Sequence, residues 1–139
     1  MSTGKTVRTA TIRQRVTIPV SPEAVYEALT NARLQAAFTG AAATGRARVG
    51  YRFTGWDGHI VGTHLALERG RLIIQAWSTS EWPKACSASR LEFRLKPAKV
   101  GTELTMIQSG VPASQSRELS SGCAEYYWRP LRAWLANKN

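Results

Sequence analysis

Residues 114–137, SQSRELSSGCAEYYWRPLRAWLAN, decide the fold. Cys123, Tyr127, Leu131, Trp134 and Leu135 recur at helical spacing on one stripe, with Tyr126 and Pro130 beside it. Glu118, Glu125, Arg129, Arg132 and Lys138 fall mostly off that stripe, acids early and bases late, the order that suits a helix dipole. The pattern predicts one long helix from about Ser114 to Asn137, ~35 Å from end to end at about 1.5 Å per residue. So aromatic a stripe needs a surface to lie on, and the chain before it reads as the sheet that supplies one.

That upstream chain alternates. From Val7 to Pro19, Ala10, Ile12, Val16 and Ile18 share one parity while Arg13 and Arg15 take the other, the pattern of a half-buried strand. Ser21-Pro22-Glu23 supplies an N-cap, a proline at the first helical position and an early acid, so a short helix runs to about Thr30. Asn31 caps a second short helix with Leu34, Ala37 and Phe38 inward, ended by Thr39-Gly40. Turns rather than helices separate the remaining strands. These are expected over Ala42 to Ala47, Tyr51 to Trp56, His59 to Leu67, Arg71 to Trp77, Ser87 to Leu95 and Thr102 to Ser109, with Asp57-Gly58 and Arg69-Gly70 as tight turns. Ser78 to Lys84, containing Glu81-Trp82-Pro83, reads as a wide loop. Gly110-Val111-Pro112 leads into the long helix. The expected class is therefore α+β: an antiparallel sheet of six to seven strands, two short helices after the first strand and one long C-terminal helix. One domain over residues 1–139 is expected, with residues 1–6 a frayed tail.

Nineteen Lys and Arg against nine Asp and Glu give a net charge of +10. The bases are spread thinly: Arg13 with Arg15, Arg46 with Arg48, and Arg90 with Arg94 stand an even number of residues apart, which puts each pair on one strand face. The sheet should therefore have a basic outer face, and no nucleic-acid motif accompanies it, so no specific nucleic-acid partner is expected. No apolar run approaches a membrane span. Cys86 and Cys123 lie in apolar surroundings with no secretory segment upstream, which reads as reduced thiols in a cytoplasmic protein.

Chemistry is sparse. His59 and His64 are five apart on a strand and fall on opposite faces, which excludes a metal pair, and no metal or cofactor is expected. The nine acids sit on outward parity or in first turns of helices, and no nucleophile has a visible base partner, so no catalytic residue is assigned. Inward polar residues carry more. Gln14 on the first strand and Gln108 on the last are amides that need partners, either each other, tyrosine hydroxyls or trapped water, or else a ligand. In the second case Phe38, Phe53, Trp56 and Trp77 line the same pocket from the sheet side with Met106. Cys123, Tyr127, Leu131 and Trp134 line it from the helix. Trp82, beside a proline on a loop, is read as an exposed rim residue that serves as a lid or contacts a partner.

The order and spacing of several stretches resemble the family of activators of heat-shock protein 90 ATPase, within the START-like, Bet v 1-like superfamily. The stretches are Ser21-Pro22-Glu23 with Val25 to Thr30, Leu34 to Thr39, Gly62, Trp77 with Glu81-Trp82-Pro83, Gly101 to Thr105, Ser109 to Pro112, and Gly122 with Tyr126-Tyr127. The resemblance implies a helix-grip fold in which a curved sheet wraps the C-terminal helix around a cavity. Where the family commonly has tryptophan after the helix glycine this chain has Cys123, which leaves volume there. Pro130 deletes the bond to the Tyr126 carbonyl at a cost of ~3 kcal/mol unless the helix kinks. The expected function is a non-enzymatic domain that binds a hydrophobic small molecule or lipid in that cavity. The alternative implied by the resemblance is a module that binds heat-shock protein 90 and modulates its ATPase.

Overall fold

The computed structural model describes residues 8–39, 41–82, 87–117, 131 and 133. Strand β1 (Thr9–Ile18) is followed by helices α1 (Pro22–Thr30) and α2 (Ala32–Thr39), and then by β2 (Thr44–Gly45), β3 (Arg52–Gly55), β4 (Ile60–Glu68), β5 (Leu72–Thr79), β6 (Ser89–Pro97) and β7 (Thr102–Pro112). All seven strands form one antiparallel sheet in the order β1-β7-β6-β5-β4-β3-β2. Five neighbouring pairs join consecutive strands, which short turns allow; only β1 reaches across to β7.

The helix caps work as the residues suggest. Ser21 Oγ accepts from the Ala24 amide at 3.3 Å with Pro22 behind it, and Asn31 Oδ1 accepts from the amides of Arg33 and Leu34 at 2.9 and 3.2 Å. Val25, Ala28 and Leu29 of α1 are buried in one core with Ile12, Ile18, Ile73, Leu91, Phe93, Leu95, Leu104 and Met106 from the inner face of the sheet. Leu131 is helical, fully buried and part of the same core. Of the rest of the expected long helix, the start is a 3-10 turn over Ala113–Gln115 followed by helical Ser116 and Arg117, and Ala133 is helical; Cys123, Tyr127, Pro130 and Trp134 lie outside the described residues, as does Cys86.

Three expectations need correction. The strand expected at Ala42 to Ala47 shrinks to two residues, and Arg46 and Arg48 lie in the bends after it rather than on a strand. Trp56 leaves β3 at Gly55 and enters a left-handed turn with Asp57 (φ 50° and 59°), which Gly58 completes at φ 87°. Asp57 anchors that turn, accepting from the Ala42 amide at 2.7 Å and donating its own N–H to the Ala42 carbonyl at 2.9 Å. β7 continues through Gly110-Val111-Pro112 instead of ending at Ser109. The register against β1 slips by one residue between Ile12↔Gln108 and Ala10↔Val111, and Gly110, at φ 80°, absorbs the extra residue as a bulge.

The outer face is basic as expected, with one addition. Glu92 is buried there between Arg90, at 2.6 Å, and Arg94, which it also pairs with directly. Burial alone would raise the Glu92 carboxyl, but hydrogen bonds from Arg94 and Arg90 outweigh it and hold the pKa below the ordinary carboxylate value. Among the described residues no helix is long and apolar enough to cross a membrane.

Candidate functional site

Side chains of one parity on β4, β5, β6 and β7 face the helices. The register aligns Gly62 with Trp77 and Trp77 with Ser89, then His64 with Gln75, Gln75 with Leu91 and Leu91 with Gln108. Beneath this row lies a cavity of about 50 Å³, lined on the sheet side by Phe53, His64, Gln75, Trp77, Leu91, Phe93, Met106 and Gln108. Leu29, Thr30, Ala32 and Gln35 of the two helices and Thr44 and Gly45 of β2 complete it.

Thr30, Gln35 and Thr44 are polar on the side of the helices and β2; on the sheet side the walls are apolar except for three buried side chains, His64, Gln75 and Gln108. Gln108 donates from Nε2 to Ser89 Oγ at 3.0 Å, and Ser89 in turn donates to the Trp77 carbonyl at 2.7 Å. Gln75 Nε2 lies 3.5 Å from His64 Nδ1, and the His64 ring packs on Phe53 with centroids 4.9 Å apart. Burial lowers the His64 pKa from its ordinary value, so at neutral pH the ring is uncharged. Leu65 bulges out of β4 immediately after His64, and the backbone of His64 is bonded on its other side to Gly50 and Tyr51. A strand irregularity next to a buried polar side chain is a common way of aiming that side chain.

Phe53 forms the wall at the β3 end. Its cross-strand neighbours are both glycines, Gly45 on β2 and Gly62 on β4. A Cβ on Gly45 would lie 2.7 Å from Phe53 Cβ, and one on Gly62 would meet the Phe53 ring. The ring thus lies over Gly62, as aromatic residues do when they cover a strand glycine, while Gly45 lets the Phe53 backbone and Cβ come close.

Of the residues read from the sequence as lining, Phe53, Trp77, Met106 and Gln108 are brought together around this cavity. Gln14 is half-buried opposite Met106, one strand beyond it, and does not line it. Trp56 is carried off by the left-handed turn, and Leu131 sits in the core without reaching the cavity. Phe38 belongs to α2, but its side chain, like Cys123, Tyr127 and Trp134, lies outside the described residues. Trp82 is the clearest correction. It is only 8% exposed and packs edge-on against Trp77 at 5.7 Å, so it is a core residue and not a rim contact. Its indole Nε1 is buried and has no hydrogen-bond partner among the described residues.

His64 and Gln75 were missed, although a signal existed. Gln75 shares parity with Trp77 two residues on, and His64 with Gly62 two residues back, so a strict period of two reaches both. One pairing also corrects the reading that no nucleophile has a base. Ser80 Oγ lies 2.6 Å from His59 Nδ1, with Glu81 4.0 Å from His59 Nε2. The His59 and Glu81 side chains are 42% and 68% exposed, and the Ser80 amide bonds the His59 carbonyl at 2.9 Å. The group is a water-exposed tie across the ends of β4 and β5. Among the described residues no group of three His, Cys, Asp or Glu side chains is placed to hold a metal ion.

The family model described as activator of Hsp90 ATPase homolog 1-like protein matches residues 19–136. The chain belongs to this family. Against the human activator of 90 kDa heat shock protein ATPase homolog 1, this family member is 32% identical over 130 residues, 93% of its own length and 38% of the human protein. It spans less than two fifths of the length of the curated relatives it matches first, including an uncharacterised Schizosaccharomyces pombe protein at 29% identity over 91% of the chain and 37% of the relative. Among solved structures, an HSP90 activator from Plasmodium falciparum superposes with a TM-score of 0.79 at 20% identity, covering 92% of this chain and 96% of the other. A Mesorhizobium loti protein gives 0.74 at 26% identity, covering 95% and 99%. The helix-grip class read from the sequence is the fold of this family member.

Proposed function

We propose that this family member is a binding domain without catalytic activity, and that its site is the cavity under β4, β5 and β7. One observation carries the reading: three buried, uncharged polar side chains of the sheet, His64, Gln75 and Gln108, face a cavity whose other sheet-side walls are aromatic and aliphatic. That is the composition of sites that orient a small organic molecule. The same residues argue against catalysis, because among the described residues no carboxylate lines the cavity to pair with His64. Size narrows the ligand. At about 50 Å³ the cavity has room for a few waters or a small head group. Sites that enclose drug-sized ligands run to roughly 300–1,000 Å³. A lipid tail therefore does not fit without the helices parting from the sheet, and a small molecule is the ligand the geometry favours. Native mass spectrometry of protein purified from the cells that make it is expected to show a small-molecule adduct that is lost on denaturation. Ligand-free protein, together with no response of the His64 and Gln75 signals to a library of small molecules, would refute the reading.

A second reading rests on the 32% identity to the human activator across 93% of the chain. In it the domain binds heat-shock protein 90 through its positive outer face, where Arg13, Arg15, Arg90 and Arg94 are exposed. Because Trp82 is buried, charge is left as the driving feature, and the affinity is expected to drop between low and physiological salt. Assayed by themselves, these 139 residues, which match 38% of the human protein, are expected to bind weakly and to stimulate the ATPase little. Several-fold stimulation in an ATPase titration would place this reading first; no binding at any salt would remove it.

A further inference from the structure

A second, open groove of about 850 Å³ lies between α1, the start of α2 and the segment after β2. It shares Thr30, Ala32, Thr44 and Gly45 with the inner cavity, so the two adjoin at these four residues, the mouth that a ligand would use. Their electrostatics differ. The inner cavity has His64 as its one titratable lining residue among those described, whereas the groove is lined by Arg33, Arg46 and Arg69 against a single acid, Glu27. Arg69 is paired with that acid at 3.5 Å. Arg33 and Arg46 are exposed, and among the described residues neither has a carboxylate partner within ion-pair distance.

A ligand that spans the mouth therefore meets an uncharged polar interior at one end and two uncompensated guanidinium groups at the other. An anion carried inward would lose its hydration to a small cavity that offers no cation, a costly transfer. At the mouth the same anion keeps water on one side and gains charge-assisted bonds from planar donors suited to oxyanions. We propose that the ligand is a small amphiphilic oxyanion bound with its uncharged end inward, in the cavity toward His64 and Gln75, and its carboxylate or phosphate held at the mouth by Arg33 and Arg46. This rests on the cavity being a ligand site and adds the ligand's charge, its class and its direction.

The test is an NMR titration of the full chain with three probes that share one ethyl group, small enough for the cavity: ethyl phosphate, propionate and ethanol. Both anions are expected to move the signals of Arg33 and Arg46 and also those of His64 and Gln75, and to bind more tightly than ethanol. Replacing both arginines (Arg33→Gln with Arg46→Gln) should weaken the anions about five- to twentyfold, the worth of two exposed charge-assisted contacts, and leave ethanol within about twofold. A control with the same loss of charge away from the groove, Arg13→Gln with Lys99→Gln, should leave all three probes within about twofold. The tighter anion names the oxyanion. Equal weakening of ethanol, no weakening of the anions, or anion shifts confined to the mouth would overturn the proposal while leaving the cavity reading intact. No movement of His64 and Gln75 with any of the three probes would also overturn it, and the cavity reading would then stand or fall on the native mass spectrum.

Discussion

Replacing Gly62 by alanine tests whether the cavity wall is built around a missing side chain. A Cβ there would stand nearer than 3.0 Å to three atoms: the Ala76 carbonyl oxygen and Phe53 Cζ and Cε2. The first belongs to the paired backbone of β5 and cannot rotate away; the other two belong to a ring that can tilt only by leaving His64. Overpacking of this kind costs about 1–3 kcal/mol. At roughly 4 °C per kcal/mol for a chain of this size, the melting temperature should fall by about 4 to 12 °C. A double-mutant cycle separates the two clashes. With Phe53→Ala present the ring contacts are gone and the carbonyl clash remains, so the double variant should be less destabilised than the sum of the singles by about 1 kcal/mol. Thermal or urea unfolding of the four proteins decides it. An unchanged melting temperature for the Gly62→Ala variant, or strict additivity in the cycle, would refute the account of Phe53.

His64 should make stability fall with acid. Its pKa is lowered in the fold, so below the ordinary value of 6.5 the unfolded chain takes up the proton first; urea unfolding should weaken from pH 7.5 to pH 5.5, and His64→Phe should flatten that slope. Glu92 has a lowered pKa as well, so its contribution is fully present above the ordinary carboxylate value of 4.5 and is lost as pH falls through the lower folded value. Glu92→Gln should cost about 1 kcal/mol at pH 7, because both arginine partners remain exposed to water, and the cost should vanish at strongly acid pH; an equal cost at both would refute the ion-pair account. Ser89→Ala strands both the Gln108 amide and the Trp77 carbonyl and should cost about 1–3 kcal/mol. Gln108→Leu leaves the Ser89 bond to Trp77 in place and should cost less; the opposite order in chemical denaturation would show that Ser89 is not the hub.

The sheet was legible because its signals are local. Period-two alternation in β1, β6 and β7, the Ser21-Pro22 and Asn31 caps and the glycine turns each depend on a few neighbours. The errors fall where a distant contact decides. Trp56 has strand propensity, yet its turn is held by Asp57 bonding to Ala42 across the chain. Trp82 sits in a loop beside a proline, and nothing near it in sequence announces Trp77 as its packing partner. Glu92 has outward parity and is outward, but its burial depends on the two arginines that fold over it. Of the site, the apolar wall was readable from parity. The size of the cavity, the groove beside it and the pairing of His64 with Gln75 depend on how strands and helices come together, which parity alone does not fix.

The placement of β1 sets a timetable for synthesis. It is the first strand made and lies at the edge of the sheet, and its partner is the last strand, with Ile18 against Thr102 and Thr9 against Pro112. At about 5–20 residues per second, roughly 5 to 20 s pass before β7 emerges from the ribosome. Through that interval a nascent strand carrying Ala10, Ile12, Val16 and Ile18 waits unpaired, while β3 to β6 assemble from neighbours in sequence and bring His64 and Gln75 together. Arg13 and Arg15 occupy its other face. Charges on an unpaired strand discourage it from joining another copy of itself, so this pair protects the newborn chain during the wait, and uncharged replacements there should lower the yield of soluble protein more than the stability of the finished fold.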